Sequence, residues 1–240
     1  MRKGMQRRSQ DEIFASYNWW DQDNLLFRIT RERCDYIESC IDRAFGREAL
    51  RQQTILEVGC GGGLICEQLA RRGASCIGLD PSAGALEVAR AHVRQSGLAG
   101  RVFFQQGLAE SLPYAAGSFS VVVSLDVLEH VSDLERTINE IARVLAPGGV
   151  FVFDTINRTW LSRLVLIWIG ERLFHRFGLV PGLHSYERFI KPGELRHGLQ
   201  EAGFQVAEMV GFMPRLIQRR LTLAPGGPLL ISYVGYAIRN

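Results

Sequence analysis

The stretch Asp126-Val-Leu-Glu129-His130 puts two carboxylates and an imidazole within five residues. Such a set can do chemistry in two ways. His130 or Glu129 can take a proton as a general base, or Asp126, Glu129 and His130 together can offer oxygen and nitrogen ligands to a divalent metal that acidifies a hydroxyl. A third alternative is structural, with Glu and His shaping a pocket and capping the next helix. His184 is a further candidate base. Upstream, Glu57-Val-Gly59-Cys-Gly61-Gly-Gly63 carries glycines at alternate positions, a pattern that makes a tight turn and lets a ligand approach the backbone closely. The glycines by themselves fit a plain turn or either of two nucleotide cofactors. Asp80 narrows the choice, because an acidic side chain at the end of a strand can accept both ribose hydroxyls of a nucleoside. Ser82 is better placed than Asp80 to cap the helix that follows.

These residues need elements to hold them. Thr54 to Val58 is a short apolar run of the kind found in buried parallel strands, and it ends where the glycines begin. A helical stretch runs from there to about Arg72. Ser75 to Leu79 predicts a second strand ending at Asp80, and Ser82 opens a helix with Leu86, Ala89 and Val93 on one face that stops at Gly97. Val102 to Phe104 and Phe119 to Leu125 predict a third and a fourth strand. Ser132 and Glu135 have capping-box spacing ahead of the stripe Leu134, Ile138, Ile141 and Leu145. Pro147-Gly148-Gly149 ends that helix, and Val150 to Phe153 is the fifth strand. A helix near Pro192–Ala202, a strand near Phe204–Val210 and another over Leu229–Ala237 complete the pattern. Strands separated by helices predict an α/β fold with a seven-stranded, mostly parallel, doubly wound sheet and helices on both faces. The whole of 1–240 reads as one domain, with a helical arm over 1–50 and an inserted segment over 157–190.

Charge and composition exclude several classes. With 28 basic and 25 acidic residues the net charge is only +3, too small to point to nucleic acid. Five cysteines without a CxxC pair fit a reduced, cytoplasmic chain. The basic N-terminus lacks the apolar core of a signal peptide, and no run reaches the roughly 20 apolar residues of a membrane span. From Trp160 to Phe177, however, Leu161, Leu164, Val165, Trp168, Ile169, Leu173 and Phe177 recur among Arg158, Arg163, Arg172 and Arg176, and Arg215, Arg219 and Arg220 add basic charge later. That pattern suits a helix lying on the inner, anionic face of a membrane, and equally a lid packed over an active site.

Five motifs in order resemble class I S-adenosylmethionine-dependent methyltransferases: ILEVGCGGG, GLD, GLAESLPY, SLDVLEHV and LAPGG. The resemblance implies a Rossmann-like fold. It also implies that Glu57, Gly59 and Gly61 meet the amino-acid part of the cofactor, Asp80 with Pro81 holds the ribose, and Leu108 and Ala109 line the adenine. Leu108 departs from the family, which often has an acidic residue there, so the adenine amino contact falls to the backbone or elsewhere. Outlying segments narrow the likeness. Trp19-Trp20-Asp21, Arg28-Ile29, Asp35-Tyr36-Ile37, Pro181-Gly-Leu-His184 and Phe189-Ile-Lys-Pro-Gly-Glu-Leu195 are similar to the ubiquinone-biosynthesis O-methyltransferases, from about Phe14 to Pro214. That implies methylation of a phenolic hydroxyl on a lipophilic, polyprenylated precursor, with S-adenosylhomocysteine as product. It implies cofactor contacts from Arg28 and Leu125 and a divalent metal such as Mg²⁺ at Asp126, Glu129 and His130, where the family normally has Glu in place of Asp126. Trp19 and Trp20 are expected to close over the cofactor, with packing inside the arm as the alternative. The alternatives are methylation of a soluble metabolite and a non-catalytic cofactor-binding member of a biosynthetic complex. A nicotinamide oxidoreductase fits least, since no Tyr-Lys pair stands beside the fourth or fifth strand.

Overall fold

Alternate residues of the central strands go to opposite faces, and this builds two cores. In the computed structural model, which describes residues 13, 14, 16–170, 184–217 and 220–240, five strands run parallel: β1 (Thr54–Val58), β2 (Ser75–Asp80), β3 (Val102–Gln106), β4 (Phe119–Ser124) and β5 (Leu145–Ile156). Val121, Val123, Val150 and Val152 enter one core with Cys34, Ile37 and Ile41 of α1 (Leu25–Phe45), Leu69 of α2 (Leu64–Arg71) and Leu86 of α3 (Ala83–Gln95). Val122, Phe151 and Phe153 enter the other, with Ile138 and Ile141 of α4 (Leu134–Val144) and Leu195 and Leu199 of α5 (Pro192–Glu201). The period of two along each strand and of 3.6 along each helix is what sorts them. Strands covered on both faces have no polar side, which is why they read as Val-rich runs.

Three further strands extend the sheet: β6 (Phe204–Ile217), β7 (Arg220–Pro225) and β8 (Ser232–Arg239). The order is β3-β2-β1-β4-β5-β8-β6-β7, with β8 antiparallel to β5 and to β6, and β7 antiparallel to β6. The chain reverses its direction of travel across the sheet between β1 and β4. The carboxyl ends of those two strands therefore open a crevice where α/β folds place ligands.

Among the described residues the sheet has eight strands where seven were expected. The eighth, β7, forms because β6 runs on beyond Val210 to Ile217 and pairs from Phe212 to Ile217 with 220–225. Asp133, rather than Ser132, caps α4 by accepting the Arg136 N–H at 2.9 Å; Ser132 instead gives its hydroxyl to Glu110 at 2.7 Å. Pro147-Gly148-Gly149 lies inside β5 as an irregularity, where the register to β4 shifts between Phe119 and Val121, and α4 has already ended at Val144. In the inserted segment, Trp160–Ser162 is one helical turn opened by a Thr159 capping box, followed by wider, π-type turns over Arg163–Gly170. Arg172, Leu173, Arg176, Phe177, Pro181 to Leu183, Arg219 and the basic residues of 1–12 lie outside the described residues, as do the side chains of Trp168, Ile169, Arg215 and Arg220.

Candidate active site

At the end of β1 the backbone turns through Gly59 at φ +77° and Gly61 at φ +49°, a region that L side chains rarely adopt. Space forbids a side chain as well. A Cβ on Gly59 would lie 2.3 Å from Val127 Cγ2, and one on Gly61 would lie 2.3 Å from Trp19 Cη2. Glu57 is buried and accepts the Cys66 N–H at 2.9 Å, which ties β1 to the first turns of α2. Burial pushes its carboxyl up to about 8, with the hydrogen bond from Cys66 opposing. Asp80 joins the loops at the ends of β1 and β2: its Oδ2 accepts the Gly61 N–H at 2.8 Å and its Oδ1 the Ser82 N–H at 2.9 Å. Ser82 caps α3 by accepting the Ala85 N–H at 3.3 Å, as its position after the strand foretells.

The segment before α1 roofs this loop. The Trp19 indole, 8% exposed, lies against Gly61 and Gly62 and donates its Nε1–H to the Phe14 carbonyl at 3.2 Å. Trp20 donates to the Gly62 carbonyl at 3.1 Å and stacks on His92 with centroids 3.3 Å apart and planes within 6°. His92 Nδ1 is in turn 2.5 Å from the buried Glu67 carboxylate.

Beneath the roof lies a cavity of about 1040 Å³. Of the residues expected to bind cofactor, act as base or ligate metal, all line it except Gly61, covered by Trp19, and Glu129, which points into the protein. Asp80 and Pro81 stand at one side with Leu108 and Ala109, and Arg28 reaches the cavity from α1. Leu108 remains 57% exposed, an apolar side chain open to a flat ligand face.

The floor is built around a charge that sequence reading passed over. Arg33, from α1, is buried, and its Nη2 lies 2.5 Å from Asp126 Oδ2 and 2.8 Å from Asp154 Oδ2. Asp126 is one of two non-glycine residues with positive φ (+53°) among those described, and its N–H donates to Asp154 Oδ1 at 2.6 Å. Asp and Asn tolerate this backbone region best, and the Arg33 and Asp154 contacts hold the turn there. Burial alone would raise the Asp126 carboxyl, but the charge and hydrogen bond of Arg33, with His184 and His130, bring it below the usual range. Glu129 is 3% exposed and accepts the Thr155 hydroxyl at 2.8 Å, and its Oε1 has no hydrogen-bond partner. Burial, and then the charge of Asp126, push it up to about 7. His130 and His184 are neighbours in the cavity lining, with ring centroids 5.5 Å apart. Burial first, then His184 and Arg188, push His130 down to about 4, so it is neutral near pH 7.

This geometry does not fit the metal that the DVLEH spacing pointed to. Among the described residues, no group of three His, Cys, Asp or Glu side chains is placed to hold an ion. Asp126 is already taken by a guanidinium, and Glu129 is turned toward Thr155. A divalent ion about 4 Å from Arg33 would be repelled by about 8 kcal/mol at an effective dielectric near 20. The two missed residues had unequal signals. Asp154 ends the apolar run Val150–Phe153 just as Asp80 ends β2, and that parallel was legible. Arg33 shares a helix with Arg28 and Arg31, and its one local signal is its place between Ile29 and Ile37 in the apolar stripe.

Comparison with known proteins agrees with this architecture. Residues 56–153 match the model of a methyltransferase domain family. The ubiquinone biosynthesis O-methyltransferase of Erwinia tasmaniensis is 35% identical over 233 residues, covering 95% of this chain and 90% of that protein. The protein of the same name from Azorhizobium caulinodans is 36% identical over 203 residues, covering 81% and 79%. Among solved structures, magnesium protoporphyrin IX methyltransferase from Synechocystis with bound SAH superposes with a TM-score of 0.63 at 22% identity, over 89% of this chain and 85% of that one. A possible histamine N-methyltransferase from Thermotoga maritima gives 0.62 at 21% identity, over 95% and 99%. Those two likenesses establish the fold, that of class I S-adenosylmethionine-dependent methyltransferases.

Proposed function

The chain belongs to the ubiquinone biosynthesis O-methyltransferase family, and on that premise we propose that it methylates a phenolic hydroxyl of a polyprenylated quinone precursor with S-adenosylmethionine. The observation that carries the reading is the cavity itself: one space of about 1040 Å³ joins the glycine loop and Asp80 to a floor of ionisable groups. Bound there, the cosubstrate supplies a methyl group already activated by its sulfonium. The protein is left to position an oxygen, remove its proton and keep water out.

Each part of the cavity has a task in this reading. Asp80 faces a ribose while its two backbone partners keep the carboxylate oriented. Leu108 and Ala109 offer an apolar face to a purine, and Gly59 and Leu125 leave room for the amino-acid end near Arg28 and Glu57. Trp19 and Trp20 exclude water from above. His130 and His184 take the hydroxyl proton toward solvent, His130 entering the reaction neutral.

The acceptor's tail requires an apolar exit. Val165, Leu166, Phe212 and Ile231 line the side of the cavity next to the inserted segment. Outside it stand Trp160 at 73%, Leu164 at 38% and Leu230 at 42% exposure, with Arg158 and Arg163 close by in sequence. No helix among the described residues is long and apolar enough to cross a membrane. We therefore place this edge on the surface of the inner, anionic leaflet, where a lipophilic phenol reaches the site without crossing water.

The test is calorimetric titration with S-adenosylhomocysteine. Wild type binds at micromolar Kd, and Asp80→Ala lowers affinity by 100-fold or more, at the upper end of a lost charge-assisted contact of about 3 kcal/mol. Because Asp80 also braces two loops, Asp80→Asn is measured beside it, and its circular dichroism must match wild type. No binding by folded wild type would refute the proposal.

A further inference from the structure

The floor of the cavity carries a buried cation, Arg33, ion-paired with Asp126 and Asp154. Arg33 brings a buried positive charge to the part of the cavity lined by Asp126, His130 and His184; Arg28 and Arg136 line the same cavity. Asp126 and Asp154 both act on the same nitrogen, Nη2, so the guanidinium is held from one end. Its Nε is buried and makes no hydrogen bond. Phe212 packs against the guanidinium, with Cζ 5.8 Å from the ring centroid, and fixes its plane. A donor held this way costs little reorganisation when negative charge develops beside it, which is how oxyanion-stabilising groups work. A charged guanidinium keeps its proton at any working pH.

We propose that Arg33 is the oxyanion-stabilising cation of this active site: it stabilises the acceptor oxygen as its proton leaves, and the reaction runs without a divalent metal. The inference rests on the methyltransferase reading given above. In the step assigned to it, the O–H bond breaks, the electron pair stays on oxygen beside Arg33, and the proton passes through the His130 and His184 imidazoles to solvent. Asp126 and Asp154 are positioning residues, because they act only through Arg33.

The test uses the full chain, S-adenosylmethionine and 3,4-dihydroxybenzoate as a water-soluble catechol. Wild type is assayed after dialysis against EDTA, with and without added Mg²⁺, and Mg²⁺ binding is followed by calorimetry. The expected results are activity indifferent to EDTA and no Mg²⁺ binding. Arg33→Met lowers kcat by about 10²- to 10³-fold, the usual cost of removing an oxyanion donor, with S-adenosylhomocysteine affinity unchanged. Its rate rises only at higher pH, since the acceptor must then ionise unaided. Arg33→Lys guards against misfolding, since it keeps the charge that Asp126 and Asp154 need. It recovers part of kcat and part of the pH shift. Activity abolished by EDTA and restored by Mg²⁺ would overturn the inference alone, as would Arg33→Met with an unchanged pH profile. A wild type that transfers no methyl group under any condition would overturn the methyltransferase reading and this inference with it.

Discussion

Glu129 shows how much one buried group can impose. Its carboxyl titrates near 7 in the folded protein, against about 4.5 when exposed. Between those values the folded state holds a proton that the unfolded state has lost, so this group's contribution is full below pH 4.5 and is lost as pH rises through 7. Glu129→Gln removes that dependence while keeping an acceptor for Thr155. The variant is expected to exceed wild type in urea-unfolding free energy by about 3 kcal/mol at pH 8, with the gap nearly closed at pH 5. An equal gap at both values would mean that the carboxyl is not the source. His130 runs the other way: its depressed value stabilises above pH 6.5, and that stability is lost as pH falls toward 4. The placement of Asp80 and Gly59 on the cavity was legible in the sequence because it follows from a position beside a strand end. Arg33 was not, because its meaning lies in Asp126, 93 residues away, and only the packing of α1 on the sheet makes them neighbours.

The elements divide in the same way. The five parallel strands and the helices between them were readable, since a strand buried on both faces must be apolar throughout and a covering helix must carry a stripe. β7 was not, because Arg220-Leu-Thr-Leu-Ala-Pro225 is a short run that, among the described residues, lies at the sheet's edge and pairs with β6 alone. The segment preceding α1 was anticipated to close over the cofactor on the strength of its two tryptophans. It lies on the glycine loop through the Trp20 bond to Gly62 and the stack on His92. Trp20→Ala removes one neutral hydrogen bond and one stacked pair, together about 1–2 kcal/mol. The expected loss in S-adenosylhomocysteine affinity is about 5- to 30-fold, with the melting temperature moved by only a few degrees. Affinity equal to wild type would show that the segment packs without closing.

At the scale of the whole molecule, Trp160, Leu164 and Leu230 are exposed, and Val165, Leu166 and Ile231 beside them in sequence line the cavity. Aromatic and aliphatic side chains that stand out to this degree carry a cost in water which a lipid interface removes. Cosedimentation with vesicles containing phosphatidylglycerol is expected for wild type and should fall several-fold for Trp160→Asp, while neutral phosphatidylcholine vesicles bind weakly. The same variant should keep its activity on a water-soluble catechol, so that docking and chemistry separate. Binding to anionic vesicles that Trp160→Asp leaves intact would place the contact elsewhere on the molecule.

The order of strands also governs how this chain is made. β8 lies between β5 and β6, so β6 and β7 have no place in the sheet until residues 232–239 exist. During synthesis the outer edge of β5 stays bare from the emergence of Ile156 to that of Ser232, an interval of about 4 to 15 s at about 5–20 residues per second. An unpaired apolar edge is a template for pairing with another chain. A ribosome that stalls in this window holds an unfinished sheet, and that nascent species, rather than the released protein, is the one that calls for a chaperone.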